Sequence, residues 1–285
     1  MPFTLVIKFS RDWCLIPFFK AFNELKFEKK DCNLILINNT FDSVLSDGLF
    51  SAIAKTSVEY KSIQLIQTNN RAYERGDPDW HKDVPHPFTT WTGYNSFQMQ
   101  KIIASLINSF APDSVHIQLE DDTLPHPDAI THLLKIMKEN PDCACAVTPV
   151  VNRDVFQNTS CMQAYSAIEK IDEFITRRIS MDPKLTGVQE IVATSYATIA
   201  FRKNPFDYAV DYIEHLSCKI KKSGSDIYFS NYLFYQGHKI LLDYDCWNIH
   251  MDKNRTYEKK DCAVWDIIWD DTLQKNKVVI VKNGN

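Results

Sequence analysis

Glycine is scarce, at seven of 285 residues, and phosphate-cradling loops have little material to be built from. Neither GxGxxG nor the GxxxxGK(S/T) pattern occurs, which weakens a dinucleotide-binding or P-loop reading. No run of about 18 apolar residues exists, so no membrane-spanning helix is expected. The opening MPFTLVIKFSRDWC has no basic segment before its apolar stretch. No secretory signal is read there, and the expected location is the cytoplasm. Paired cysteine spacing is missing as well. The eight cysteines (Cys14, Cys32, Cys143, Cys145, Cys161, Cys218, Cys246 and Cys262) are dispersed without a CxxC, which predicts reduced core thiols and not a zinc site. Cys143 and Cys145 alternate in an apolar stretch and are expected on one face of a strand. Strong charge of one sign is also lacking: 32 basic against 36 acidic residues leave −4. Nothing in that balance points to attachment to nucleic acid or membrane by net charge.

What is present is ordinary globular material, 45% hydrophobic and 24% charged, enough for one large domain over residues 1–285. Strands and helices alternate from the start. Phe3–Phe9, Asn33–Asn38 and Ser62–Thr68 read as strands, and Leu15–Leu25 as a helix. A polar stretch from Asn69 to Pro87 has the character of a long active-site loop. Phe97, Ile102, Ile103, Leu106, Ile107 and Phe110 recur at helical spacing. Val115, Ile117 and Leu119 then alternate as a strand. Pro127 and Asp128 suit the first turn of the next helix, with Ile130, Leu133, Leu134 and Met137 as its apolar face. Cys143–Val151 returns as a strand. Such alternation predicts an α/β fold with a mainly parallel sheet and ligands beyond the strands' C-terminal ends. The second half is less regular. Ile191–Arg202 reads as one or two strands, Phe206–Cys218 and Ser225–Tyr235 as helices, and Lys239–Tyr244 and Trp247–Met251 as strands. Gln236-Gly237 is a plausible helix stop. The last thirty residues, rich in charge and tryptophan, pack across the site or lie on the surface.

The sharpest chemical feature is Gln118-Leu119-Glu120-Asp121-Asp122-Thr123-Leu124-Pro125. Three consecutive carboxylates ending an apolar strand are costly unless solvent or a cation compensates them. They form either a solvated acidic turn leading into a helix or a divalent-cation site that bridges to a diphosphate. Asp226 opens a helix, where it either answers the helix dipole or serves as a base toward a hydroxyl. His250 is a structural histidine or a metal ligand.

Together these segments resemble the GT-A glycosyltransferases, especially the family 2 inverting nucleotide-sugar enzymes, over residues 3–251. Glu120-x-Asp122 is similar to their DxD region, with Glu in its first position. Ser223-Gly224-Ser225-Asp226-Ile227-Tyr228-Phe229 followed by Gln236-Gly237-His238 is similar to their "ED-x-x" helix and the glycine after it, with Ser225 standing for the usual Glu. Trp247-Asn248-Ile249-His250 is similar to the place of a further metal-ligating histidine. The resemblance implies a GT-A, Rossmann-like sheet flanked by helices with a small antiparallel acceptor-side portion. Residues 1–125 would form the nucleotide-sugar half, 126–251 the acceptor and catalytic half, and 252–285 a tail. It implies Mn²⁺ or Mg²⁺ on Asp122 and His250, with Glu120 or Asp121 near the ribose. Asp226 is implied as the base that deprotonates an acceptor hydroxyl in an inverting displacement. Donor contacts are implied at Ser10, Arg11, Asn39, Asn70, Arg71, Asn95 and Lys101. Acceptor contacts are implied at Trp91, Tyr94, Thr194, Ser195 and Ser225.

The implied partners are a nucleotide-sugar donor, a UDP-sugar first, and an acceptor that is a soluble saccharide, a protein, a small molecule or modified DNA. A Gly-poor, Asn/Lys-rich chain fits a viral enzyme that glycosylates a hydroxymethylated base in DNA, working in the host cytoplasm. The rivals are a nucleotidyltransferase of similar fold and a non-catalytic sugar- or partner-binding domain. The first usually carries a Gly-rich N-terminal phosphate loop, and Phe3–Leu15 contains no glycine.

Overall fold

A computed structural model describes residues 1–11, 14–39, 59–68, 82–84, 91–111, 115–151, 164–170, 176–180, 185–202, 225–251, 265–269 and 278–282. The helix expected over Phe206–Cys218 and nearly all of the long loop from Asn69 to Pro87 lie outside them. In chain order the strands are β1 (Phe3–Phe9), β2 (Cys32–Asn38), β3 (Ser62–Gln67), β4 (Val115–Glu120), β5 (Thr123–Leu124), β6 (Cys143–Val147) and β7 (Val150–Val151). They continue as β8 (Ala164–Lys170), β9 (Thr176–Ser180), β10 (Val188–Glu190), β11 (Ala193–Thr194) and β12 (Thr198–Phe201). The last four are β13 (Lys239–Asp243), β14 (Asn248–His250), β15 (Trp265–Trp269) and β16 (Val278–Lys282). The helices are α1 (Leu15–Asn23), α2 (Trp91–Phe110), α3 (Ala129–Glu139) and α4 (Ser225–Tyr235).

Eight strands form the central sheet in the order β10-β13-β6-β12-β4-β1-β2-β3. From β4 to β3 all neighbours are parallel. β12 then enters antiparallel to both β4 and β6, β13 lies parallel to β6, and β10 closes the edge antiparallel. Six of the eight strands therefore share one direction, the mainly parallel α/β sheet that the strand-helix alternation predicts.

Strand alternation divides the core. Phe3, Leu5, Ile7 and Phe9 of β1 pack with Phe18 of α1 and Ile130, Leu133 and Met137 of α3. Val6 turns the other way, joining Ile35 and Ile37 of β2 against Met99, Ile103 and Ile107 of α2. On that second side α4 adds Phe229 and Leu233, packed with Phe97 of α2 and with Ile199 and Phe201 of β12. Helix α4 ends where expected: Gly237 adopts φ +80°, and its N–H and that of His238 bond back to the carbonyls of Phe234 and Leu233. A residue with a Cβ is strained at that φ.

Two expectations need correcting. Cys143–Val151 is not one strand: it breaks at Thr148-Pro149, and β7 pairs with β14 in a separate three-stranded sheet. Nor do Cys143 and Cys145 share a face. The β6–β13 pairing slips, with Lys239 opposite Cys143 and Ile240 already opposite Cys145. The extra residue flips the alternation, so Cys143 joins the α1/α3 cluster and Cys145 the α2/α4 cluster. Both are buried free thiols, as are Cys14, Cys32 and Cys246, and burial pushes Cys143 up to about 11. No described helix is long and apolar enough to cross a membrane.

Candidate active site at the end of the parallel sheet

Parallel pairing of β1 and β4 sets Lys8 beside Glu120, so the residues that leave the two strands meet. Those residues are Ser10-Arg11 on one side and Asp121-Asp122 on the other. Asp121 is fully buried and turned toward β1. Its Oδ2 accepts the backbone N–H groups of Ser10 (2.6 Å) and Arg11 (2.9 Å), and its Oδ1 lies 2.5 Å from the Arg11 guanidinium. That guanidinium also reaches Asp122 Oδ2 at 3.3 Å. Burial works against the charge on Arg11, but the carboxylates of Asp121, Asp122 and Glu120 outweigh it and push its pKa further up.

Glu120 and Asp122 meet a different partner. β14 pairs antiparallel with β5, setting His250 opposite Thr123, and the Met251 N–H bonds the Asp122 carbonyl at 2.7 Å. This clamp brings His250 Nε2 to 3.2 Å from Asp122 Oδ2. Glu120, Asp122 and His250 each offer a ligand atom, and all three lie within 4.8 Å of one another. Ligands opposite each other on an ion with bonds of about 2.1 Å are about 4.2 Å apart, so only a small inward movement separates this set from one coordination shell. Two carboxylates and an imidazole suit Mn²⁺ in donor chemistry, while Mg²⁺ would draw on the two carboxylates. The residues present therefore fit such an ion. The resemblance left open whether Glu120 or Asp121 lies near the ribose; the fold groups Glu120 with Asp122 and His250 and ties Asp121 to the residues that follow β1.

Asp226 stands in the first turn of α4, close enough to Glu120 to feel its charge. Burial and the nearby Glu120 charge raise its carboxyl to about 6, against the opposing pull of backbone N–H groups of Ile227 and Tyr196. The Ile227 N–H donates to Oδ1 at 2.9 Å. Helix α4 is held in place one turn later by Ser230, whose hydroxyl accepts the Thr194 N–H (2.8 Å) and has the carbonyls of Thr194 (3.1 Å) and Asp226 (3.0 Å) as acceptors for its own proton. A general base with a pKa near working pH combines sufficient basicity with the right protonation state.

The other sequence candidates scatter. Asn39 is buried and bonds Thr68 at the ends of β2 and β3. Asn95 is half-buried on α2, and Lys101 is exposed there with its ammonium 4.6 Å from the Phe97 ring centre. Tyr94 is half-buried beside the α2/α4 cluster. Thr194 and Ser195 are buried, the first occupied in anchoring α4. Trp91 and Ser225 are the first residues of α2 and α4. Asn70 and Arg71 lie outside the described residues. Two positioning residues escaped sequence reasoning. Ser230 follows Asp226 by one helical turn on a buried face, a spacing that offered a signal. Asn248 offered none. Its amide donates to Thr148 Oγ1 (2.7 Å) and the Pro149 carbonyl (3.1 Å) and accepts the His126 N–H (2.9 Å), which seats β14 and so His250.

No family model matches the chain, and no curated protein sequence matches it. Solved structures share its fold. GalNAc-T7 with UDP, GalNAc and Mn²⁺ aligns with a TM-score of 0.57 at 14% identity, over 88% of this chain and 44% of that one. A mannosyltransferase from Pyrobaculum calidifontis, PcManGT, in complex with GDP-Man and Mn²⁺, aligns with a TM-score of 0.50 at 10% identity, over 90% and 58%. The chain thus spans about half the length of the structures it matches. At these identities the likeness establishes the fold, and the fold is GT-A.

Proposed function

We propose that the chain is a metal-dependent, inverting glycosyltransferase that moves a sugar from a nucleotide-sugar, a UDP-sugar first, to an acceptor hydroxyl. One observation carries this reading: the Glu120–Asp122–His250 set gathers at the C-terminal edge of a GT-A sheet, with the Asp226 carboxyl within electrostatic reach of Glu120. The UDP, GDP-Man and Mn²⁺ held by the two matched enzymes support the donor class and the ion.

Asp122 and His250, with Glu120, would hold Mn²⁺ or Mg²⁺, which offsets charge on the departing diphosphate. Asp226 takes the proton of the acceptor hydroxyl as its oxygen bonds to the anomeric carbon. The bond from that carbon to the diphosphate oxygen breaks on the opposite face, which inverts the configuration. Arg11, Ser10 and Lys8 border the same strand ends and belong to the donor side. The opening turns of α2 and α4, with Trp91, Tyr94 and Ser225, belong to the acceptor side. In this reading residues 1–125 serve the donor and 126–251 the acceptor and base.

The test is nucleotide release from UDP- and GDP-sugars in Mn²⁺, Mg²⁺ or EDTA. Metal-dependent release that disappears in Asp122→Ala is expected. Absence of release together with absence of metal-dependent donor binding by calorimetry would overturn the reading. Acceptor candidates for the same assay are soluble saccharides, proteins, small hydroxylated molecules and hydroxymethylated against unmodified DNA. Transfer to neither DNA removes the nucleic-acid acceptor.

A further inference from the structure

We infer that Arg11 is the resident counterion of the acidic turn, that a divalent ion competes with it for Asp122, and that metal binding thereby releases part of the guanidinium to the donor's diphosphate. This rests on the metal-dependent reading above and adds to it a coupling between ion and nucleotide.

Asp121 and Asp122 are adjacent and both fully buried, an arrangement that needs positive charge close by. Arg11 supplies it from a single Nη1, 2.5 Å from Asp121 Oδ1 and 3.3 Å from Asp122 Oδ2. The second contact falls on the oxygen that His250 Nε2 approaches at 3.2 Å. An ion held by His250 Nε2 and that same Asp122 oxygen would take the atom that Arg11 faces, and two cations would crowd one acceptor. The two aspartates are not equally attached to Arg11. Asp121 is fastened through the backbone N–H groups of Ser10 and Arg11 as well as the side chain. Arg11 can thus give up Asp122 and stay anchored on Asp121. Its side chain is 29% exposed while both carboxylates are fully enclosed, so Arg11 is the member of this cluster that reaches solvent. A guanidinium carries five N–H donors in a planar fork matched to phosphate oxygens. Those not used on Asp121 would become available to a diphosphate.

The experiment measures Mn²⁺ binding by calorimetry and by the paramagnetic resonance signal of free Mn²⁺, for the wild type, Arg11→Met and Arg11→Lys, with and without UDP. Without UDP, Arg11→Met is expected to bind Mn²⁺ about fivefold or more tightly than wild type, the lower end of ordinary site-to-site coupling. Arg11→Lys keeps the charge and is expected to stay near wild type. With UDP the order reverses: the nucleotide strengthens Mn²⁺ binding more in the wild type than in Arg11→Met. Mn²⁺ binding to Arg11→Met no tighter than to wild type, or equal tightening in both variants, would overturn the competition. If Arg11→Met folds poorly without metal, its melting temperature is expected to rise at Mn²⁺ concentrations that leave the wild type unmoved, and no rise overturns the inference. A wild type that binds no Mn²⁺ even with UDP overturns the metal-dependent reading itself.

Discussion

The two faces of β4 are built for different purposes. Toward α1 and α3 it presents Val115, Ile117 and Leu119, packed with Leu5, Ile7 and Leu133 in one apolar cluster. Toward α2 it presents His116, Gln118 and Glu120. There Gln118 and Gln100 of α2 exchange amide hydrogen bonds at 3.1 and 3.2 Å. Lys8, Gln100, Gln118, Glu120 and Tyr196 line a cavity on that side. His116 is fully buried, and among the described residues neither of its ring nitrogens finds a hydrogen-bond partner. The apolar face yields stability directly. The polar face spends some of it on buried groups whose file along β4 ends in Glu120. Local rules of burial fail where a site is built, and here they fail on one face of one strand.

The largest effect that tests this division is on the α2/α4 side. Asp226→Asn removes the proposed proton acceptor and keeps the shape, so kcat is expected to fall about 10³-fold while donor affinity stays near wild type. The melting temperature should hold or rise, because burial disfavours the carboxylate charge. An equal loss of kcat and donor binding would mean that Asp226 positions the donor, and the division between base and donor site would break.

The apolar face makes the opposite demand. Ile117→Ala, a fully buried truncation in the α1/α3 cluster, is expected to lower unfolding free energy by about 3 kcal/mol. Per folded molecule, kcat should not change. Denaturant unfolding and turnover on the same preparation check both at once. A loss of kcat in fully folded protein would show that the two faces of β4 are mechanically coupled.

This contrast also separates what was legible in the sequence from what was not. The period of two in Val115, Ile117 and Leu119 announces β4, and Glu120, Asp121 and Asp122 at its end mark a candidate site. The helix that Asp226 opens and the strand that ends at His250 are readable from local pattern alone. Long-range pairing is not. Nothing local says that β12 inserts antiparallel between β4 and β6, or that a slip opposite Lys239 sends Cys143 and Cys145 to different clusters. Asp121 and Asp122 look equivalent in sequence. They separate because parallel pairing delivers the backbone N–H groups of Ser10 and Arg11, more than a hundred residues earlier, to Asp121, and β14 delivers His250 to Asp122.

The smallest of the three effects lies at the foot of the polar face. His116 stacks on Phe201 with ring centres 5.1 Å apart, and burial lowers its pKa from 6.5 to about 3. Below pH 6.5 the unfolded chain takes up a proton that the folded chain refuses until about pH 3. Unfolding therefore gains free energy throughout that window, and stability falls as the pH drops through it. Above the window the histidine is neutral in both states and contributes no slope. At pH 5, one and a half pH units inside, the deficit is about 2 kcal/mol. His116→Leu removes the proton uptake and both unpartnered nitrogens. Its stability relative to wild type should rise as pH falls from 7 to 5, by about 2 kcal/mol in denaturant unfolding. Parallel pH profiles for the two proteins would show that His116 is solvated or bonded in solution, and that the polar face of β4 is less costly than its burial implies.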